Sequence, residues 1–206
     1  MGRLAQLPEW KIFKYEKDEG TRNVHLDWSG VQDSSFIAEG FRDSARLILV
    51  HYEEDARHPD RFFFSVAYLY RHSVEIMLKE IIVDGRNLNN EPLRKEDKDG
   101  KDVTDFHNLH KLWNEALRLL EIIYAGADKA PLDEAWAILK ELHDADPNGV
   151  GFRYKKNMKG EVNLENIPRV FSLTTFVSQL ETLYDFLDGC LLGIGAGLDR
   201  RAECAQ

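Results

Sequence analysis

The feature that most constrains the fold is a long helical pattern of apolar residues over residues 62–83. Apolar side chains recur there at the three- and four-residue steps of one helix face, at Phe63, Val66, Tyr70, Val74, Met77 and Ile81. Further apolar residues widen this face, so the helix needs neighbours on several sides. Asp60 is the predicted N-cap, and Asp84-Gly85 the predicted end, because glycine adopts the left-handed conformation without steric cost. The sequence therefore predicts a central, mostly buried helix.

A row of polar residues interrupts this apolar helix, with Arg71, Glu75 and Lys79 at four-residue steps and His72 beside them. Two interpretations are open. In the first, the row is a ladder of two ion pairs on an exposed edge, each stabilising the helix by about 0.2–0.5 kcal/mol. In the second, Arg71 and His72 line a groove, are held by Glu75 and bind an anionic ligand such as a phosphate.

The rest of the chain predicts a mainly α fold. Further segments with helical apolar spacing begin near capping residues or proline, at about residues 33–54, 106–124, 131–142 and 168–187. The tail after Gly189 is expected to fray. Alternating apolar residues predict two small β-hairpins, at about residues 10–28 and 152–164. We therefore expect a bundle of about five helices over residues 33–206, preceded by a β-hairpin arm, residues 1–32.

Residues 85–105 lack periodicity and are rich in charge, which predicts a loop between the second and third helices. A loop of this length is uncommon inside a compact domain. Two roles are open for it. It is either a solvated connection, or a lid or interaction segment.

The charge balance limits the function classes. A formal net charge of −9 argues against broad, non-specific nucleic-acid binding and leaves only a local basic groove for such a ligand. The two cysteines, Cys190 and Cys204, are too few for a disulfide framework or a cysteine-rich zinc site, and they fit a reducing cytoplasm. No stretch approaches the roughly 20 apolar residues of a membrane span. We expect a cytoplasmic protein without membrane insertion.

Several catalytic motifs are missing from the sequence. It contains no phosphate-cradling glycine loop, no His-Glu-x-x-His, no Cys-x-x-Cys pair and no Gly-x-Ser-x-Gly nucleophile elbow. His107 and His110 are spaced to share a metal ion, but a histidine at a helix start more often packs against, or bonds to, a neighbouring turn. We therefore predict neither a metal site nor a cofactor.

Two separated segments, taken in order, resemble the all-helical HEPN superfamily (higher eukaryote and prokaryote nucleotide-binding domain). Residues 69–82 are similar to the family helix of the type A-x-E-x-x-L-K-A-L-L, with Glu75 and Lys79 at its charged positions. Residues 107–113 are similar to the H-D-L-x-x-L motif that follows it, beginning with His107. A third segment, residues 146–160, contains Phe-Arg-Tyr and resembles a D…F-R-Y-P…G segment of some bacterial members. The resemblance covers about residues 33–187.

This resemblance implies a helical bundle, often dimeric, that in many family members cleaves RNA without a metal ion. The family's ribonucleases use an Arg-x(4–6)-His motif near the start of a late helix. Its arginine steadies the phosphate, and its histidine moves protons during attack by the ribose 2′-hydroxyl. In this chain the only match is Arg46 to His51, which lies in an early helix and encloses four apolar residues. Non-catalytic members act as binding or partner modules.

Three functions are therefore expected. The favoured one is a HEPN-like RNA- or nucleotide-binding protein that belongs to a toxin–antitoxin or defence system. The second is a metal-independent endoribonuclease, with Arg46 and His51, or Arg71 and His72, as its phosphate and proton-transfer groups. The third is a non-catalytic interaction module that forms a homodimer or docks a cognate protein partner. The ligand-binding residues predicted for the favoured function are Arg71, His72, Glu75, Lys79, His107 and Arg153.

Overall fold

The computed structural model describes residues 34–55, 59–157 and 159–205. Helices account for most of these residues, so the predicted mainly α fold is confirmed. In chain order they are α1 (Ser34–Asp55), α2 (Pro59–Leu88), α3 (Leu109–Ile123), α4 (Ala130–Ala145) and α5 (Leu173–Cys204). A short 3-10 helix, Val103–Asp105, precedes α3. The hairpin predicted at residues 10–28 lies outside the described residues.

The central position predicted for the apolar helix is confirmed. α2 packs against α1, α3 and α5, while α4 packs against α3 and α5. The predicted core face of α2 is buried along its length, at Phe63, Val66, Tyr70, Val74, Met77 and Ile81. Because α2 has neighbours on three sides, residues outside this face, such as Ala67 and Ile82, are buried as well. None of the helices in the described ranges is both long enough and apolar enough to span a membrane.

Both predicted ends of α2 are wrong. The helix begins at Pro59, so Asp60 lies inside the first turn. There its negative charge interacts favourably with the positive end of the helix dipole. At the other end, α2 continues through Gly85 to Leu88. A Cβ atom on Gly85 would lie 3.3 Å from the Cβ of Leu119 in α3. Gly85 therefore permits a close approach of two helices rather than ending one.

The last helix is much longer than predicted. α5 begins at Leu173, where Ser172 is the N-cap and accepts a hydrogen bond from the Thr175 N–H (3.2 Å). It then continues to Cys204, so the expected fraying after Gly189 is wrong. The small residues of this tail bring the helix close to its neighbours. A Cβ on Gly193 would overlap the Tyr124 hydroxyl, and one on Gly197 would lie 2.9 Å from a methyl carbon of Leu88.

α3 and α4 also differ from prediction at their ends. α3 begins at Leu109 rather than at residue 106, because Asn108 caps it and accepts a hydrogen bond from the Lys111 N–H (2.9 Å). Thr104 and Asp105, which precede the predicted start of α3, belong to the short 3-10 helix. α4 extends three residues past its predicted end, to Ala145. Leu139, on the inner face of α4, is buried.

The hairpin predicted at residues 152–164 is reduced to one isolated antiparallel bridge, between Lys156 and Val162. The first strand does not form because its backbone is engaged in a turn. The N–H groups of Arg153 and Tyr154 both donate to the carbonyl of Val150, at 3.2 and 3.1 Å. These two residues are therefore unavailable for strand pairing.

The loop between α2 and α3, residues 89–108, is anchored by the buried guanidinium of Arg86. Arg86 donates through Nη1 to Asp102 Oδ2 (2.8 Å) and to the carbonyl of Leu93 (3.0 Å), and through Nη2 to Glu115 Oε1 in α3 (2.9 Å). One α2 side chain thus bonds to the loop at Leu93 and Asp102 and to α3 at Glu115.

Asp102, the loop partner of Arg86, is itself fully buried and satisfied by the loop backbone. It accepts hydrogen bonds from the N–H groups of Lys95 (2.7 Å) and Thr104 (2.9 Å). Asp102 also caps the 3-10 helix in a reciprocal pair with Asp105. The loop is therefore attached at several points between its ends.

Replacing Arg86 by methionine is expected to lower the free energy of unfolding by about 3 kcal/mol, because it leaves the Asp102 carboxylate buried without its cation. Urea unfolding followed by circular dichroism measures this change. Arg94→Met is the matched control, since the Arg94 side chain is 53% exposed in its pair with Asp105 and solvent screens exposed pairs. Equal stability of the two variants would contradict the anchoring role of Arg86.

Candidate functional site

The candidate site is built around Glu75 in the middle of α2, a residue that is only 2% exposed. Its Oε2 accepts a hydrogen bond from Arg71 Nη1 (2.8 Å). Its Oε1 accepts from Lys79 Nζ (3.0 Å) and faces His107 Nδ1 (2.7 Å). Both predicted ion pairs of the ladder are present, but the ladder is not on an exposed edge, because Arg71 and Glu75 are buried.

Arg71 is paired entirely within the bundle and is 2% exposed. Besides Glu75, its Nη2 donates to the backbone carbonyl of His107 (2.7 Å) and its Nε to the carbonyl of Asp146 (3.3 Å). The Asp146 Oδ2 atom also lies 3.2 Å from Nε, an ion-pair contact without hydrogen-bond geometry. Arg71 therefore joins α2 to the turn before α3 and to the end of α4. This pairing favours a structural role over direct contact with a ligand.

The loop after α4 closes over the Arg71 guanidinium. The Oδ1 atom of Asp146 accepts hydrogen bonds from the N–H groups of Val150 and Gly151, both at 2.8 Å. Gly149, just before them in the chain, has φ of 72°, in the left-handed region. A Cβ there would lie 2.9 Å from Arg71 Nη1. Glycine is required at this position for both its backbone conformation and its lack of a side chain.

The network keeps the Glu75 carboxylate ionised. Burial by itself would raise the pKa of Glu75, but hydrogen bonds from Arg71, Lys79 and His107 outweigh it and lower the pKa to about 2. An ionised carboxylate can only accept hydrogen bonds, so the Nδ1 atom of His107 is the donor. In a neutral ring, Nε2 is then the acceptor.

His107 and Lys79 are the parts of this network that reach the surface. The side chain of His107 is 66% exposed and that of Lys79 is 26% exposed, while Glu75 below them is 3% exposed. Both side chains are fixed by the same carboxylate oxygen, Oε1. A buried carboxylate thus orients an exposed imidazole beside an ammonium group, an arrangement suited to binding a phosphate or moving a proton.

The two other predicted ligand-binding residues, His72 and Arg153, meet at Tyr68. The His72 ring is stacked on Tyr68 (5.8 Å between centroids) and edge-to-face with Phe41 (4.6 Å). Burial lowers the pKa of His72, so its ring is neutral at pH 7. The Arg153 guanidinium lies 5.5 Å from the Tyr68 ring centroid and donates to the Gly149 carbonyl at 2.8 and 3.0 Å.

All six residues predicted to bind a ligand therefore lie in one connected region. Gly149 connects its two halves, because it contacts the Arg71 guanidinium and accepts from Arg153. Sequence reasoning missed the contributions of Tyr68 and Asp146. Tyr68 lies one helical turn before His72, a spacing that could have indicated their contact. The contact of Asp146 with Arg71 has no local signal, because the two residues are far apart in the chain.

The predicted catalytic pair, Arg46 and His51, engages two different neighbours. Arg46 donates to Glu181 of α5 through Nε (2.9 Å) and Nη2 (2.6 Å). Glu181 also accepts from Arg42 and Tyr70. Burial by itself would raise the pKa of Glu181, but these hydrogen bonds outweigh it and lower the pKa to about 2. His51 is exposed and contacts Phe62 at the start of α2, edge-to-face with 6.4 Å between ring centroids.

His107 and His110, the pair considered for a metal ion, also have separate neighbours. His107 contacts Glu75, whereas His110 stacks on Trp136 of α4 with 5.1 Å between ring centroids. Within the described ranges, no three His, Cys, Asp or Glu side chains are grouped so that they could hold a metal ion.

Compared with known proteins, the chain matches no protein-family model, no curated protein and no solved structure.

Replacing Glu75 by glutamine tests the electrostatics of the site through its pH dependence. The folded-state pKa of Glu75, about 2, lies below its ordinary value of 4.5, so its stabilising contribution is complete above pH 5 and is lost as the pH falls from 4.5 towards 2. This contribution is about 3 kcal/mol. We expect Glu75→Gln to be less stable by about this amount at pH 7 and less sensitive to pH between 5 and 2.

Urea unfolding across this pH range measures both effects. Asp144→Asn is the matched control, because Asp144 is an exposed carboxylate paired with Lys140 at 2.6 Å, and such pairs contribute about 0–1 kcal/mol. A Glu75→Gln profile parallel to that of the wild type would show that folding does not lower the pKa of Glu75, which would contradict the network.

Proposed function

We propose that this chain is a HEPN-like RNA- or nucleotide-binding protein that binds a phosphate group at the surface formed by His107 and Lys79. The observation that carries the proposal is the buried Glu75 carboxylate, which fixes both exposed side chains through one oxygen atom. Binding a phosphate there needs little further ordering of either side chain, which reduces the entropic cost of association.

The HEPN resemblance gains support from the way its motif residues meet. Glu75 and Lys79 come from the first resembling segment and His107 from the second, and they share one set of hydrogen bonds. Asp146, from the third segment, joins the same network through Arg71. Three segments that are separate in sequence thus converge on one site. The proposal that the protein serves a toxin–antitoxin or defence system rests on this resemblance.

The charges of the region suit an anion. Arg71, Lys79 and Arg153 supply three cations, against the two carboxylates of Glu75 and Asp146. Since Arg71 is engaged by both carboxylates, the Lys79 ammonium and the Arg153 guanidinium provide the positive charge that a phosphate can reach.

A metal-independent endoribonuclease is the second candidate function, and the orientation of His107 favours it. With Nδ1 donating to Glu75, the Nε2 atom of a neutral ring can accept the proton of a ribose 2′-hydroxyl, and Lys79 can offset charge on the phosphate. These roles fall on His107 and Lys79 rather than on Arg46, which α5 holds through Glu181.

The double substitution Lys79→Met with His107→Ala is expected to weaken RNA binding at least tenfold, because charge-assisted contacts to phosphate contribute about 1.5–3 kcal/mol each. Fluorescence anisotropy with a labelled 12-nucleotide RNA, in the presence of a chelator, measures the affinity. Lys140→Met removes an exposed cation from α4 and is the matched control, expected to bind within twofold of the wild type. An unchanged affinity of the double variant would contradict the proposed site.

The same samples separate binding from cleavage on a denaturing gel. An endoribonuclease that uses His107 loses its products in His107→Ala and retains them in Arg46→Ala with His51→Ala. The reverse pattern would place the chemistry at the Arg-x(4)-His pair. Intact RNA with every variant would leave the protein as a binding module.

The outer face of α1 supports the proposal of a homodimer. Phe36, Leu47 and Val50 lie at spacings of eleven and three residues, on one side of the helix, and are 56%, 71% and 56% exposed. The opposite side carries the buried Ala38 and Ala45 and packs on α2. A second copy of this helix would cover the apolar stripe.

Light scattering after size exclusion is expected to give the mass of a dimer for the wild type and of a monomer for Leu47→Asp, because the aspartate places a charge in the centre of the apolar stripe. Leu192→Asp is the matched control, since Leu192 is 70% exposed on α5. A monomeric wild type at high concentration would contradict the dimer.

A further inference from the structure

A groove of about 1310 Å³ runs between the first turns of α2 and the segment of residues 151–174. Three aromatic side chains on its walls are open to solvent: Phe64, Tyr154 and Phe171 are 49%, 59% and 42% exposed. Ligand sites for small molecules occupy about 300–1,000 Å³. The groove is therefore large enough for an extended ligand with several ring systems.

The aromatic wall of this groove is braced by the core. Phe63, which is buried, contacts Phe171 and Phe64 edge-to-face with centroid distances of 5.0 and 5.4 Å. Phe63 also contacts Phe152 at 5.9 Å, in the turn that leads to Tyr154. Because one buried ring contacts both sides, the groove is preformed, which lowers the cost of binding.

Positive charge is concentrated at the same place. Residues 152–160 contain four basic residues, Arg153, Lys155, Lys156 and Lys159, and no acidic one, in a chain whose net charge is −9. Arg169 adds a fifth cation from the lining of the groove, and the lining carboxylates are Asp60 and Glu165.

These cations differ from most of those on the helices, which are paired with carboxylates, as Arg42, Arg86 and Arg118 are. Over the ranges that the structure describes, none of Lys155, Lys156, Lys159 and Arg169 is within ion-pair distance of a carboxylate. Cations without a carboxylate partner keep their full charge for phosphate groups.

We infer that this groove binds single-stranded RNA, with bases stacked on Tyr154 and Phe171 and phosphates paired with Lys155 and Arg169. Aromatic faces bind unpaired bases, since a base inside a duplex does not offer its ring face. The combination of exposed aromatic rings with unneutralised cations therefore selects single strands over duplexes. The same combination distinguishes RNA from an acidic peptide, which would need the cations but not the rings.

This inference rests on the proposed function, because it gives the path of the same RNA beyond the phosphate site. Arg153 connects the two places. Its guanidinium lies 5.5 Å from the centroids of both Tyr68, beside His72, and Tyr154, on the groove wall. Its bonds to the Gly149 carbonyl fix it between the groove and the Glu75 network.

Fluorescence anisotropy with labelled 12-nucleotide oligouridine tests the groove on the full chain. Tyr154→Ala is expected to weaken binding about fivefold or more, the range found when a stacking ring is removed, whereas Tyr154→Phe keeps the ring and stays within twofold of the wild type. Lys155→Glu with Arg169→Glu is expected to weaken binding at least tenfold and to flatten its salt dependence. A duplex of the same length is expected to bind more weakly than the single strand.

The matched control for charge is Lys98→Glu with Arg200→Glu, which changes the net charge equally at exposed positions outside the groove lining and is expected to bind as the wild type does. Binding within twofold of the wild type by both groove variants would overturn the inference. Equal competition by a polyglutamate peptide would also overturn it, and would assign the cations to an acidic protein partner.

The two proposals fail separately. If Lys79→Met with His107→Ala weakens binding and the groove variants do not, the result supports the phosphate site and contradicts RNA binding in the groove. If only the groove variants weaken binding, the result supports the groove and contradicts the phosphate site. Circular dichroism of each variant checks that a loss of affinity is not a loss of fold.

Discussion

The structure depends on the buried cation of Arg71, which is shared between the carboxylates of Glu75 and Asp146. Removing these three charges from water is costly, and breaking such a buried pair by deleting one member costs about 3–5 kcal/mol. Hydrogen bonds to the charged groups offset this cost. Here the carbonyls of His107 and Asp146 accept two further hydrogen bonds from the guanidinium, and Asp146 Oδ1 accepts two from the backbone. Alternative packings of α2, α3 and α4 would leave a charge unpaired, so these contacts select one arrangement of the bundle.

The same constraint links the fold to the candidate site. Arg71 and Glu75 are held inside the bundle, and they in turn hold His107 and Lys79 at its surface. A change at one surface residue removes one hydrogen bond from Glu75 Oε1, whereas a change at Glu75 affects stability and orientation together. Glu75 thus uses its two oxygens differently. Oε2 accepts from the buried Arg71, and Oε1 orients Lys79 and His107.

Much of the helical fold could be predicted from local patterns. The apolar spacing in residues 62–83 identified the central helix and its buried face, because tight packing on three sides requires that spacing. Helix ends could not be predicted as well. Gly85 has the sequence signature of a helix stop, yet it allows a neighbouring helix to approach. A single sequence does not distinguish these two uses of glycine, since the neighbour comes from elsewhere in the chain.

Only part of the candidate site could be predicted, because contacts between segments distant in the chain determine the rest. The four-residue spacing of Arg71, Glu75 and Lys79 fixed their ion pairs, but not their burial, which depends on α3 and the end of α4. The Arg46–His51 spacing carried less information, because Glu181, distant in sequence, determines where Arg46 points. The groove was not identified at all, although the four basic residues between 152 and 160, two of which line it, are visible in the sequence.

The most direct measurement is a two-bond ¹H–¹⁵N NMR spectrum of the histidine rings, recorded with and without a short oligouridine. If Glu75 orients His107 for phosphate binding, its neutral ring carries the proton on Nδ1, and its resonances shift when RNA is added. The His51 resonances then stay in place. A His107 ring protonated on Nε2, with a spectrum unchanged by RNA, would contradict both the orientation and the proposed site.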